Sequence, residues 1–133
     1  MKAVIEQIEK QFRLFQAKGC SVEQVMEAER QLGLRFSDEY RNYVLDYGAF
    51  SFGSQEFTGL NVDSYINVTD VTLQERGLRD EFPADCYVLQ QLGIDGLITL
   101  QHQSGTVYQM DESGASSKIA DSFSGYLATL LKH

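Results

Sequence analysis

With 133 residues, of which 43% are hydrophobic and 23% charged, the chain has the make-up of one soluble globular domain, large enough to fold without covalent staples. Two cysteines, Cys20 and Cys86, are too few for a disulfide framework, so a reduced, cytoplasmic setting is expected. A formal charge of −8 argues against nucleic acid as a partner, because that affinity comes largely from phosphate neutralisation by lysine and arginine.

The amino-terminal stretch MKAVIEQIEK reaches Glu6 before an apolar run can form, so neither a signal peptide nor a membrane span is expected there. Residues 2–18 read as an amphipathic helix with Val4, Ile5, Ile8, Phe12 and Phe15 on one face. Ser21 and Gln24 have the spacing of a capping box for a second helix, whose apolar side is Val22, Val25 and Met26 and whose stop is Gly33. Glu29, seven residues after Val22, is thereby turned toward the packed face. A buried carboxylate needs partners, and Arg41 is the basic group proposed for it, as a structural brace.

The stretch ERQLGLRFSDEYRNYVLDYGA, residues 29–49, carries the strongest signals. Ser37 is placed to cap a third helix, with Asp38 and Glu39 where the helix dipole favours negative charge. Tyr40, Tyr43, Val44 and Tyr47 form one stripe, and Gly48 is able to take a left-handed terminus.

Beyond Gly48 the period changes. AFSFGSQEFTGL suggests a hairpin around Gly53 and Ser54; NVDSYINV reads as a loop exposing Asp63 and Tyr65. A short helix over 70–80, capped by Thr69 or Asp70, carries Val71, Leu73 and Leu78 and ends before Pro83. Strands follow at 86–93, 97–103 and 106–111, joined by the Asp95-Gly96 turn, which suits a type I′ or bulged connection, and by Ser104-Gly105; GASS is a further turn. A terminal helix bears Phe123, Tyr126, Leu127 and Leu130, with Asp121 or Ser122 as cap and Lys132 in its last turn. Strands linked by short turns imply an α+β fold: an antiparallel sheet with helices packed on one face, a single domain over residues 1–133.

Several of these residues form a recognisable pattern. Glu29, Leu32, Gly33, Tyr40, Arg41 and Gly48, followed by the segments LGIDGLITL, GTVYQMD and IADSFSGYLATLL, resemble the SUKH superfamily from residue 22 onward. Ser37 stands where that family usually has proline, a change from one helix-starting device to another. The resemblance implies a non-enzymatic immunity protein that binds and neutralises a cognate toxin domain, a nuclease or deaminase in many members, or else a cytosolic scaffold or regulatory module like the fungal cell-wall-assembly regulators.

The residues offer little catalytic chemistry. The histidines are His102, within a strand, and the terminal His133; neither has a nucleophile at motif spacing, and Cys20 before a helix reads as a small packing residue. No metal-ligand spacing and no phosphate-binding glycine loop is present, so neither metal nor cofactor is expected. A small-molecule or enzymatic pocket near Glu29 and Arg41 is the least favoured reading. What remains is surface. Residues 1–48 carry seven basic against eight acidic side chains, residues 49–133 four against eleven. The acidic part mixes carboxylates with tyrosines and amides, including Tyr87 with Gln90 and Glu56 with Phe57; taken singly Tyr87 and Tyr108 read as packing residues of the sheet face, and as a set the groups fit a face that binds a basic protein. Glu56, Asp63, Tyr65, Asp95, Asp111 and Glu112 are the expected contacts, chosen for charge and loop position. Neither oligomeric state nor toxin identity is written in these residues.

Overall fold

The computed structural model describes residues 1–131; Lys132 and His133 lie outside the described residues. The chain runs α1 (Lys2–Gln11), β1 (Leu14–Gln16), α2 (Val22–Leu32), α3 (Asp38–Tyr47), β2 (Phe50–Phe52), β3 (Gln55–Glu56), α4 (Val68–Leu78), β4 (Cys86–Gln91), β5 (Ile98–His102), β6 (Val107–Met110), β7 (Ser116–Ala120) and α5 (Phe123–Thr129). This is an α+β fold with antiparallel sheets. The strands form two sheets rather than one: β1-β2-β3 and β4-β5-β6-β7.

The largest local departure from the sequence pattern is at the amino terminus. The helix stops at Gln11, and residues 14–16 leave the helical path to pair with β2, Phe15 opposite Ser51. Phe12 keeps its inward place by packing on Phe52, with ring centroids 5.3 Å apart, whereas Phe15 is turned to solvent. The second helix has the expected capping box and Gly33 terminus, but its buried face is Val25, Ala28 and Leu32; Val22 and Met26 are exposed.

Ser37 caps α3 by accepting the Tyr40 amide. The helix ends on Gly48 at φ 72°, ψ −67°, not in the left-handed helical region but in a γ-turn closed by the Ala49 amide on the Tyr47 carbonyl. Tyr40 and Tyr43 are wholly buried among Phe36, Phe50, Tyr87 and Phe123, and each phenol is hydrogen-bonded. Tyr40 meets the Thr58 hydroxyl at 2.9 Å; Tyr43 donates to the Thr58 carbonyl at 2.6 Å and accepts the Phe50 amide. Unpaired, each hydroxyl would cost about 1–3 kcal/mol. Burial drives both phenol pKa values far up, so both remain neutral donors.

Thr58 is the junction between the two sheets. Its amide donates to the Leu89 carbonyl and its hydroxyl to the Val88 carbonyl. Helix α4 is capped by Asn67, which accepts the Thr69 amide, and begins at Val68, two residues earlier than expected; it buries Val68, Val71, Thr72 and Glu75 while Leu73 and Leu78 face water. Successive residues of β4 serve two clusters: Tyr87 and Leu89 join the main core with α3 and α5, and Cys86 and Val88 pack with Val71, Ile98, Leu100 and Met110 under α4. The four-stranded sheet is therefore covered on both faces. The Ile94-Asp95-Gly96-Leu97 turn has positive φ at both central residues and an Ile94 carbonyl to Leu97 amide bond, which is type I′. Strand β7 was not expected; its SSKIA sequence is largely exposed and is drawn into the sheet edge by pairing with β6.

At the carboxyl end Ser122 caps α5 through the Gly125 amide. Glu39 of α3 adds two bonds to Ser124, amide and hydroxyl, at 2.7 and 2.8 Å. Among the described residues no helix is long and apolar enough to cross a membrane.

Candidate functional site

Two adjacent glycines in space position the most distinctive surface feature. A Cβ on Gly59 would stand 1.8 Å from the Gly48 carbonyl oxygen, so only a bare backbone lets the two segments cross. Around this crossing the Leu60 amide donates to Gly48 O at 2.9 Å, the Gly59 amide to Ile66 O at 3.0 Å and the Val68 amide to Gly59 O at 2.8 Å. Both ends of the 61–66 loop are thereby fixed, and Asn61 anchors its start on the Lys18 carbonyl.

The fixed loop stands beside the outer face of the three-stranded sheet and forms a groove of about 340 Å³. Phe15, Ser51 and Glu56 contribute from the strands, Val62, Asp63, Tyr65 and Ile66 from the loop. Three of the six expected contacts, Glu56, Asp63 and Tyr65, thus share one concavity. Phe15 is 57% exposed and Tyr65 66%, large areas for aromatic rings to leave in water. Among the described residues neither the Glu56 nor the Asp63 carboxylate has a hydrogen-bond or ion-pair partner.

The other three expected contacts lie elsewhere. Asp95 belongs to the β4–β5 turn, Asp111 and Glu112 to the β6–β7 turn, and the turns touch: a Cβ on Gly96 would lie 3.0 Å from Glu112 Cβ. Arg79 at the end of α4 holds them together. It pairs with Glu75, donates to the Asp111 carbonyl at 2.9 Å and also donates to the Gly96 carbonyl. Asp111 is itself engaged, its Oδ1 accepting from the Ser113 hydroxyl at 2.6 Å and from the Ser113 and Ala115 amides. These bonds, the hydroxyl first, hold its carboxyl below the ordinary range.

Tyr87, Gln90 and Phe57 are buried, so they form no part of a binding face, and Tyr87 is the packing residue that it reads as singly. Tyr87 donates to Gln101 at 2.6 Å and accepts the Ser37 amide; Gln90 meets Tyr126 inside the core. Tyr108 is half-buried. Phe15 and Arg79 were missed: the first was assigned to a buried helix face, and the second makes contacts too distant in sequence for any local signal.

Glu29 accepts the Phe36 amide at 2.8 Å and the Arg41 guanidinium at 2.9 Å through the same oxygen. The geometry ties the α2–α3 linker to both helices. His102 lies 2.9 Å from Asp85 through Nε2, while Nδ1 accepts the Ser104 amide at 3.0 Å. The ring therefore donates to Asp85. Burial raises the Cys20 thiol pKa, against any activation by the following helix, and burial beside Asp85 pushes Cys86 up to about 12. Among the described residues no group of three or more histidine, cysteine or acidic side chains is arranged to hold a metal.

The sequence matches the SUKH_5 family, described as SMI1-KNR4 cell-wall, over residues 1–132. The chain belongs to that family, which includes toxin immunity proteins. The match takes in α1 and β1, which precede the segment where the resemblance was legible by eye. No curated protein matches the chain.

Proposed function

We propose that this protein is a cytoplasmic immunity protein that binds the basic catalytic domain of a cognate toxin, a nuclease or deaminase, and blocks it without chemistry of its own. The observation that carries the reading is the convergence of Glu56, Asp63 and Tyr65 with Phe15 in one groove. Unpartnered carboxylates beside exposed aromatic rings supply charge complementarity and desolvated contact area together. Tyr65 and Phe15 are the anchors, and Glu56 and Asp63 meet cationic side chains. Asp95, Asp111 and Glu112 act mainly through the field, raising the encounter rate with a cation-lined cleft by about 10- to 1,000-fold at low salt. An interface of about 1,600 Å² in total covers the groove and extends beyond it. Glu29 and Arg41 serve as a structural brace, outside the contact.

The test begins with capture of partners from native cells in low-salt buffer, followed by co-expression of the retained protein's basic domain with this chain. Restored growth is expected, and a variant with Glu56→Lys and Asp63→Lys should lose protection while melting normally. Protection that survives both reversals contradicts the reading. Capture of several unrelated proteins, with no toxic domain among them, supports instead a cytosolic scaffold or regulatory module, the other role the family admits.

A further inference from the structure

The register of the small sheet places Phe15, Ser51 and Glu56 directly opposite one another across β1, β2 and β3, and all three line the groove. The alternate residues Phe50 and Phe52 face the core. Ser51, the short member of the row, leaves depth between the ring on one side and the carboxylate on the other. Asp63 and Tyr65 repeat the same pairing on the loop wall. The slot thus offers two carboxylates and two aromatic rings around Ser51, with the apolar Ala17, Ala49, Val62 and Ile66 also in its lining.

We infer that this groove is a slot for an arginine side chain of the protein partner. The inference rests on the preceding reading of the groove as a protein contact surface and specifies its chemistry. A guanidinium is planar and weakly hydrated, stacks on aromatic faces and donates in a fork that matches carboxylates, whereas an ammonium does only part of this. The chain's own Arg13 stands over the Phe15 ring, its guanidinium carbon 5.1 Å from the centroid, which shows that the ring accepts such a group and requires a partner's arginine to take the other face or to displace Arg13. Glu56 and Asp63 supply the acceptors, Phe15 and Tyr65 the stacking surfaces.

The experiment is an NMR titration of the isotope-labelled full chain with three capped tripeptides of glycine, a central residue and glycine, the centre being arginine, lysine or the uncharged arginine analogue citrulline. The arginine peptide should shift the amide signals of residues 15, 51, 56, 63 and 65; the lysine peptide should bind about two- to fivefold more weakly, the ratio a lost stacking contact gives at an exposed site. Citrulline should leave the spectrum unchanged. Phe15→Leu, at an exposed position and checked for an unchanged melting temperature, should erase the arginine preference. Glu56→Gln should weaken binding by up to about fivefold. Equal affinity for lysine and arginine, or shifts centred on residues 95–97 and 111–115, overturns the assignment. A chain that takes the arginine peptide yet gives no protection in cells contradicts immunity and leaves the slot standing; protection by a chain whose slot ignores the peptide refutes the slot alone.

Discussion

The two acidic regions of the molecule have similar side chains and differ in how many of them the fold itself engages. Among the described residues, Glu75 and Asp111 are bonded at the turn end, where Asp95 and Glu112 are not, and neither Glu56 nor Asp63 is bonded in the groove. At the turn end of the four-stranded sheet, Arg79 gathers Glu75 and the carbonyls of Gly96 and Asp111, and Asp111 closes its own turn. In the groove, Glu56 and Asp63 make no such bonds among the described residues and stand beside exposed rings. Carboxylates engaged by their own fold stabilise it; carboxylates without internal partners are available to another molecule. Charge in a sequence does not distinguish the two.

Substitutions of the bonded groups, Arg79 and Asp111, should therefore cost stability, and substitutions of carboxylates without internal partners, Glu56 and Asp63, should cost binding. The largest effect is expected from Arg79→Met, which leaves the nearly buried Glu75 unpaired and releases two turn carbonyls; chemical denaturation should show a loss of about 3–5 kcal/mol. Gly59→Ala forces its new methyl against the Gly48 carbonyl and should destabilise by about 1–3 kcal/mol through overpacking, with loss of peptide binding because the loop is displaced. Glu29→Gln keeps an acceptor for the Phe36 amide but loses the charge opposite Arg41, a loss of about 1 kcal/mol in the same assay with no change in partner affinity.

Smaller effects separate the regions by pH. The Asp111 carboxyl is depressed in the fold, chiefly by the Ser113 hydroxyl, so its contribution is complete above the ordinary carboxylate pKa and is lost as pH falls through the lower folded value. Melting temperature measured downward from about pH 5 should fall less steeply in Asp111→Asn than in the natural chain. Glu56→Gln should change stability by no more than about 0.5 kcal/mol.

What the sequence disclosed follows the range of the interactions. Ser21 and Ser37 were legible as caps, and Ser122 as one of two candidates with Asp121, because each bonds an amide three residues ahead, and Asp95-Gly96 was legible as a turn for the same local reason. The end of α1 was not: Phe12 and Phe15 continue the helical spacing, and only the pairing of Phe15 with Ser51, far along the chain, pulls the segment into a strand. That single misreading concealed Phe15 as a surface aromatic. Strand β7 lacks an apolar alternation and exists because β6 offers it an edge. Glu56, Asp63 and Tyr65 were individually legible as exposed, yet their convergence depends on the Gly48–Gly59 crossing, which no pattern along the chain announces.

The decisive measurement is stopped-flow association and dissociation of the captured partner with two double variants, Glu56→Gln with Asp63→Asn and Asp95→Asn with Glu112→Gln, at low and moderate salt. Groove substitutions should accelerate dissociation at both salt concentrations, and turn-end substitutions should slow association at low salt alone. If the two pairs changed the same rate constant to the same extent, the groove would be no more than another part of a diffuse negative surface.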